Sequence, residues 1–594
     1  MPRLKARRQW GAETRLEPLS IVHDRPSDGK IARSRIAIVL TIALWAAYVI
    51  TTILRQFLNN GAGSFRFTME AVAYLAIVTL LCLSALMYLV ARAGAFQRFA
   101  QHERVPRAEL ERHFSEHPAT MTVLVPSYAE EPGVIRATLL SAALQEFPEE
   151  RVVLLLDDSP SATGADAERI AHTIALVDDI RELLEDPRRH VRAALDAFAR
   201  RTDARGEAGD GPVDAEELTA VASVYSWSGQ WLRGMASAEQ IDDHVDVFFV
   251  EQVLEKLAEE LELTATALAA AAGDDAGLSA YRVAELYRRL VWTFTAEIDV
   301  FQRKAWASLS HEANKAMNLN SYLGLMGRHF RVEQTPNGPA LLPSSAAKAT
   351  VSFPDSEFVL TLDADSLLLR EYCLRLVYFL QQPGNERVAV TQTPYSSFRG
   401  ASSRIERLAA ATTDVQHILH QGMTYYDATF WVGANAVIRK TALDDIVETE
   451  HVGGFEVRRY IQDRTVIEDT ESSIDIAAHG WSLVNYPERL SYSATPPDFG
   501  SLIVQRRRWA NGGLLIIPKL VAQLRERRRQ GRRMRATEFM LRLNYTGSIA
   551  WSSFALLFLL AYPFDSRLLS VLVLAAALPY FISMASDLRY SGYK

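Results

Sequence analysis

Four uncharged apolar runs bracket this chain in two pairs, residues 36–54 and 71–91 near the start and 545–564 and 568–586 near the end. Each is ~20 residues, enough to cross a ~30 Å hydrocarbon layer as a helix, whereas uncharged core helices of that length are rare. The chain is therefore expected to fold as two pairs of α-helical transmembrane segments around a long polar middle. Flanking charge sets the orientation. Arg3, Lys5, Arg7, Arg8, Lys30, Arg33 and Arg35 precede the first run, but only Arg55 and Arg66 lie between the first two. The positive-inside rule places the N-terminus in the cytoplasm, and two crossings return the chain there for residues 92 to about 542. The first run starts late and is a full span long, so no cleavable signal peptide is expected.

At 594 residues the chain exceeds one ordinary core, and its net charge of −7 lacks the basic footprint of a nucleic-acid binder. Cys82 lies inside an apolar run and Cys373 is the only other cysteine, which excludes a disulfide framework and a zinc ribbon.

The middle region opens with a buried-strand pattern at 121–125, a loop carrying Pro126, Glu130 and Glu131, an amphipathic stretch at 134–144, and a second apolar strand at 152–156 ending in Asp157 and Asp158. Strand, helix and strand make a βαβ unit, so a parallel sheet is expected, with ligands at the carboxyl ends of its strands. Residues 161–309 are Ala- and acid-rich with helical spacing and read as a helical insertion, in its simplest reading a solvated decoration. Residues 332–354, with Pro, Ser and Ala, read as a loop. Sheet-like sequence resumes at 356–369, with further strands at 388–393 and 429–438. The predicted order is an N-terminal cytoplasmic segment at 1–35, spans within 36–91, an α/β domain at 118–512, an amphipathic basic segment at 513–535, and spans within 545–586. In that segment an apolar stretch too short to span precedes Arg525, Arg527, Arg528, Arg529, Arg532, Arg533 and Arg535, the pattern of a helix lying on a membrane surface.

Three groups of residues carry chemistry. Asp363 and Asp365 follow the buried run FVLTL, and aspartates one residue apart point the same way from an extended segment. Such a pair suits a hard divalent cation, held by one or two carboxylates plus substrate phosphates. Glu468, Asp469 and Glu471 open a helical pattern, where acids complement the helix dipole and Asp469 could also accept a proton from an attacking hydroxyl. Gln505, Arg508 and Trp509 combine a guanidinium suited to phosphate with a flat face suited to a sugar ring, although Arg and Trp also mark membrane interfaces.

The order of these elements resembles the processive family 2 glycosyltransferases, which include the cellulose, hyaluronan, chitin and curdlan synthases. VPSYAEEP is similar to that family's first-strand loop, HEANKAMNLN (311–320) to its lysine stretch, and DAD (363–365) to its metal-binding DxD. TQTP (391–394), FWVGANAVIRK (430–440), Glu468-Asp469 and QRRRW (505–509) are similar to its QTP, acceptor-loop, TED and QxxRW motifs. The resemblance implies an α/β GT-A domain, Rossmann-like with a mixed sheet, in the cytoplasm. It implies that Glu130, Asp157, Asp158, Lys315, Gln505 and Arg508 bind the nucleotide-sugar, and that Gly433, Asn435, Glu468 and Trp509 bind the acceptor. Asp363 and Asp365 then hold Mg²⁺ or Mn²⁺, and Asp469 is the catalytic base. It further implies inverting transfer to a growing β-glycan, UDP-glucose as donor, and a multi-pass position in a bacterial-type inner membrane.

Met317 replaces the family's Gly and Ile467 its Thr, neither removing a proposed ligand. The insertion is longer than usual, and only two spans follow QRRRW, so whether one chain forms a secretion channel stays open. No cyclic-di-GMP receptor domain is discernible. Partners consistent with the pattern are the lipid bilayer, a glycan acceptor, export or regulatory subunits and further copies of the chain, but no nucleic acid. Two other readings stand beside this one: a non-processive transferase adding one sugar to a lipid, and an inactive scaffold for a synthase complex.

Overall fold

A seven-stranded sheet organises the polar middle of the chain in the computed structural model. The structure describes residues 18–60, 64–205, 211–274, 277–393, 395–433, 435–531 and 533–590. Arg3, Lys5, Arg7, Arg8, Pro394, Arg532 and Lys594 lie outside these residues.

The sheet strands are β1 (Thr120–Ser127), β2 (Glu149–Leu156), β3 (Glu297–Gln302), β4 (Phe358–Leu362), β5 (Val388–Gln392), β6 (Asn435–Arg439) and β7 (Ser482–Asn485), in the spatial order β7-β5-β6-β4-β1-β2-β3. The β1 strand runs parallel to β2 and β4, β2 to β3, and β7 to β5, whereas β6 is antiparallel to both neighbours. Helices cover both faces, so β1 and β4 are apolar almost throughout instead of alternating. The parallel strands β1, β2 and β4 end on one edge, at Ser127, Asp157 and Asp363. This is the GT-A-type mixed sheet that the motif order implies.

Helices Asp28–Asn59, Phe65–Gln101, Ala536–Ala561 and Val571–Arg589 are long and apolar enough to cross a membrane. The first two expected runs fall within them, and the last two overlap all but three residues of their length, the fourth helix beginning at Val571 instead of 568. The third ends at Ala561, three residues early, because Pro563 cannot continue the ladder.

Four expectations need correction. The region 332–354 is not a loop: His329–Thr335 and Gly338–Pro343 form an antiparallel hairpin, extended by Val351–Ser352. Its turn is Pro336-Asn337, followed by Gly338 at φ +115° as the first residue of the second strand, and such residues between short strands are a hairpin signal. The insertion also ends earlier than 309. Its helices run from Ala165 to Phe294, and Glu297–Gln302 is the edge strand β3. Nor is the insertion a solvated decoration. Leu176, Val177, Ile180, Tyr225, Leu254 and Leu290 share one buried core with Val123, Val152 and Leu154 of the sheet. Beneath that core, Arg289 pairs with Glu146 (2.8 Å), and Arg107 pairs with both Glu146 (2.8 Å) and Glu111 (2.9 Å).

The segment expected to begin at 513 continues a helix already under way. Phe499–Arg529 is one helix of 31 residues with Gln505, Arg508 and Trp509 in its first half. Two glycines let it pass between neighbours. A β-carbon on Gly513 would stand 2.1 Å from the Thr546 carbonyl oxygen of the third span, and one on Gly512 would stand 2.7 Å from the Ile467 side chain.

Candidate active site

The carboxyl edge of the sheet forms one wall of a cavity of about 650 Å³, within the size range of small-ligand sites. Its lining includes Glu130 from the loop after β1, Asp157 after β2, and Asp363 and Asp365 after β4. Lys315 enters from the first turn of helix Lys315–Leu323, and Glu468 and Asp469 from the first turn of helix Glu468–Ala478. Gln505, Arg508 and Trp509 close the side facing the spans, and Gly433 stands opposite Asp469. Eleven of the thirteen residues singled out from the sequence therefore line one cavity, although they come from seven separate parts of the chain.

The other two lie elsewhere. Asp158 turns away, accepting from Arg169 (3.0 Å) and from the Ala129 amide (3.4 Å), so it ties the β1 loop to the insertion. Asn435 is buried in β6 and donates to the Ser491 hydroxyl behind the cavity wall. For Asp158 this follows from backbone geometry, since a residue one step along from Asp157 points to the opposite face.

Local structure explains how each group is held. Asn314 caps the lysine helix by accepting from the Met317 amide (2.7 Å). Asn318 donates to the Leu155 carbonyl (2.8 Å), and Asn320 donates to Ile461 (2.7 Å) and accepts from the Tyr460 and Ile461 amides (2.9 and 2.8 Å). These bonds lock the helix between β2 and the chain entering the Glu468–Asp469 turn, so the Lys315 ammonium reaches the Asp363 carboxylate. The Asp469 carboxylate accepts from the Gly433 and Thr470 amides, the latter at 2.6 Å. Gly433 sits at φ +31°, and a β-carbon there would crowd Asp469 at 3.2 Å. Asp157 is held by the buried Arg303 (2.6 Å), which also donates to the Ser310 and Glu312 carbonyls of the loop leading to Lys315.

The electrostatics are those of crowded carboxylates with too few cations. Burial raises Asp365 to about 7, with Asp363 and Glu130 adding to the shift against Lys315. Burial likewise raises Glu468 to about 7, with Asp469 adding to it. Asp469 is raised by burial, but the Thr470 and Gly433 amides and Lys315 work against that and favour its ionised form. Burial pulls Lys315 down, yet Asp363, Glu468 and Asp469 more than offset it and hold the ammonium well above its ordinary range.

This surplus of negative charge fits a divalent cation. Among the described residues, no three His, Cys, Asp or Glu side chains converge as a ready-made metal cage. Two adjacent aspartates in an open cavity match Mg²⁺ or Mn²⁺ sites that draw their remaining ligands from substrate phosphates and water.

Sequence reasoning missed several residues at the site. Tyr395, Ser493, Asn314 and Asn318 line the cavity, and Lys304 donates to the Asp157 carbonyl (2.5 Å). Arg303 and Lys304 immediately follow β3, so recognising residues 297–302 as a strand would have placed both at a ligand-binding edge.

Residues 358–584 match the sequence model described as glycosyl transferase family group 2. Cellulose synthase 1 of Komagataeibacter xylinus is 26% identical over 172 residues, 28% of this chain and 10% of the relative. The cellulose synthase catalytic subunit (UDP-forming) of Komagataeibacter sucrofermentans is 24% identical over 165 residues, 27% of this chain and 20% of the relative. A probable glucomannan 4-beta-mannosyltransferase 7 of Oryza sativa subsp. japonica is 25% identical over 166 residues, 28% of this chain and 26% of the relative. The matched part thus spans only 10% to 26% of these relatives' lengths.

Proposed function

We propose that this membrane protein, whose residues 358–584 match the model described as glycosyl transferase family group 2, transfers a sugar, with inversion, from a nucleotide diphosphate-sugar to a hydroxyl of a growing β-glycan. The observation that carries the reading is the meeting of Asp469 with Asp363, Asp365 and Lys315 around one cavity beside the spans.

Asp469 takes the proton of the acceptor hydroxyl as that oxygen attacks the anomeric carbon, and the bond to the diphosphate breaks on the opposite face. The two amides on Asp469 fix the carboxylate and favour its ionised form against the effect of burial. Lys315 and Arg508 take up charge on the leaving diphosphate, with Gln505 beside them and Asp157 and Glu130 at the nucleotide end. Mg²⁺ or Mn²⁺ at Asp363 and Asp365 would neutralise the diphosphate when bound. Trp509, half-buried with the Arg506 guanidinium 4.5 Å from its ring centre, offers a platform for the acceptor sugar next to Gly433 and Glu468. Asp158 and Asn435 act behind the cavity as supports. UDP-glucose is the proposed donor, in keeping with relatives named cellulose synthase and UDP-forming. The catalytic domain faces the cytoplasm, and the exposed arginines at the end of helix Phe499–Arg529 rest against the membrane surface.

Membranes containing the protein are incubated with a panel of radiolabelled nucleotide-sugars and the product is digested with linkage-specific glycosidases. Incorporation from UDP-glucose into long chains cut by a β-glucanase is the expected result. A single sugar added to lipid, or no incorporation from any donor, overturns the reading.

A further inference from the structure

The cavity floor includes a three-stranded sheet, Ser396–Ser397, Ser491–Ser493 and Ser366–Leu368, in which the central strand is parallel to the first and antiparallel to the last. Three cavity-lining residues stand at its ends: Tyr395 just before the first strand, Ser493 ending the second and Asp365 just before the third. Hydroxyls cross-link these ends. Ser366 donates to Ser493 (3.0 Å), and both reach the same Asp365 oxygen at 3.5 Å.

The strands are only two or three residues long, too short to hold register by their own ladder. What clamps them comes from the insertion. Phe248, buried, packs its ring 4.4 Å from that of Tyr492 in the central strand and 5.1 Å from Phe398 just past the first. The segment carrying it is fastened at two points outside the insertion. Glu239 pairs with Arg136 of the helix after β1 (2.5 Å), and His244 pairs with Glu406 (3.2 Å). Immediately after Phe248 the helix widens into a π-helical stretch, Phe249–Glu255, an irregularity that recurs where helices are shaped to a local purpose.

We propose that the helical insertion is a working part of the transfer site, with Phe248 the positioning residue that fixes Asp365, Ser493 and Tyr395 through Tyr492. Its claim on metal and donor rests on the transferase reading; its claim on the small sheet does not. The test uses the full chain in detergent micelles with Phe248→Leu and Phe248→Ala. Amide hydrogen exchange is followed at 366–368 and 491–493, and Mn²⁺ binding in the presence of UDP is followed by electron paramagnetic resonance. Phe248→Ala is expected to speed exchange in both strands and weaken Mn²⁺ binding about tenfold, as loosening a supporting shell does. Phe248→Leu is expected to recover most of the affinity, because it refills most of the space. If Phe248→Ala does not fold, exchange in Phe248→Leu decides, with faster exchange confined to these strands and the segment around residue 248 expected. Unchanged exchange at 366–368 in Phe248→Ala, or in Phe248→Leu where Phe248→Ala does not fold, overturns the proposal. Absence of Mn²⁺ binding in the wild type with UDP counts against the transferase reading instead, and the exchange result still decides the role of Phe248.

Discussion

At the scale of single residues, the site trades stability for chemistry. Asp365 has a pKa of about 7 in the folded chain against roughly 3.9 for a free aspartate, so its folded value is raised. The stability it contributes is complete at low pH and is lost as pH rises through 7, when an ionised carboxylate is left beside Asp363 and Glu130. Asp365→Asn removes that penalty. Without metal at pH 8, the variant is expected to melt about 2–4 °C higher than the wild type, the shift that ~1 kcal/mol gives in a domain of this size, while losing turnover. Scanning calorimetry at pH 6 and pH 8 checks the sign, since the difference should shrink at the lower pH. Asp469→Asn should behave differently. Its kcat should fall ~100-fold or more with donor KM within a few-fold, because the amides from Gly433 and Thr470 still hold the side chain while the proton acceptor is gone. Steady-state kinetics separates the two effects.

Among elements, the helix Phe499–Arg529 decides how the cavity meets the membrane. It lies on the third span with Gly513 against the Thr546 carbonyl, and on the turn before Glu468 with Gly512 against Ile467. A methyl group at 513 meets rigid backbone. Gly513→Ala is therefore expected to cost ~1–3 kcal/mol and to lower activity by moving Arg508 and Trp509. Gly512→Ala presses on a side chain that can turn, so its loss should be smaller. Thermal unfolding in detergent and donor KM for the two variants test that ranking. The second span makes a similar approach: a β-carbon on Gly422, in helix Arg404–Tyr425, would stand 1.8 Å from the Ala91 carbonyl oxygen.

For the whole molecule, the insertion and the sheet fold as one unit around charges that cannot be left unpaired. Glu146 is fully buried between Arg107 and Arg289, and those two cations hold its carboxyl below the usual range despite burial. Glu146→Gln leaves the guanidiniums short of a partner and is expected to cost ~3–5 kcal/mol, the price of breaking a buried pair from one side. The loss should appear as a single earlier transition in unfolding, since the insertion and the sheet share the core. An early melt of the insertion alone, with the sheet intact, would contradict this.

The local signals were readable in the chain itself. The spans follow from run length and lack of charge, and β1, β2 and β4 from short apolar runs, the last two ending in acids. The order of the motifs along the sequence groups Asp363, Asp365, Lys315, Asp469, Arg508 and Trp509. Nearest-neighbour chemistry is enough for these, because helix and strand periods are set within a few residues. The hairpin after Thr335 is local too, marked by the turn residues Pro336-Asn337 and the glycine that follows them. Tertiary structure alone decided the rest. Arg303 reaches Asp157 across 146 positions, the Gly433 amide reaches Asp469 across 36, and Phe248 reaches Tyr492 from the far side of the insertion. Such pairings depend on which strands become neighbours and how helices pack against them. That outcome is set by burying the shared core as a whole, and no short stretch of residues encodes it.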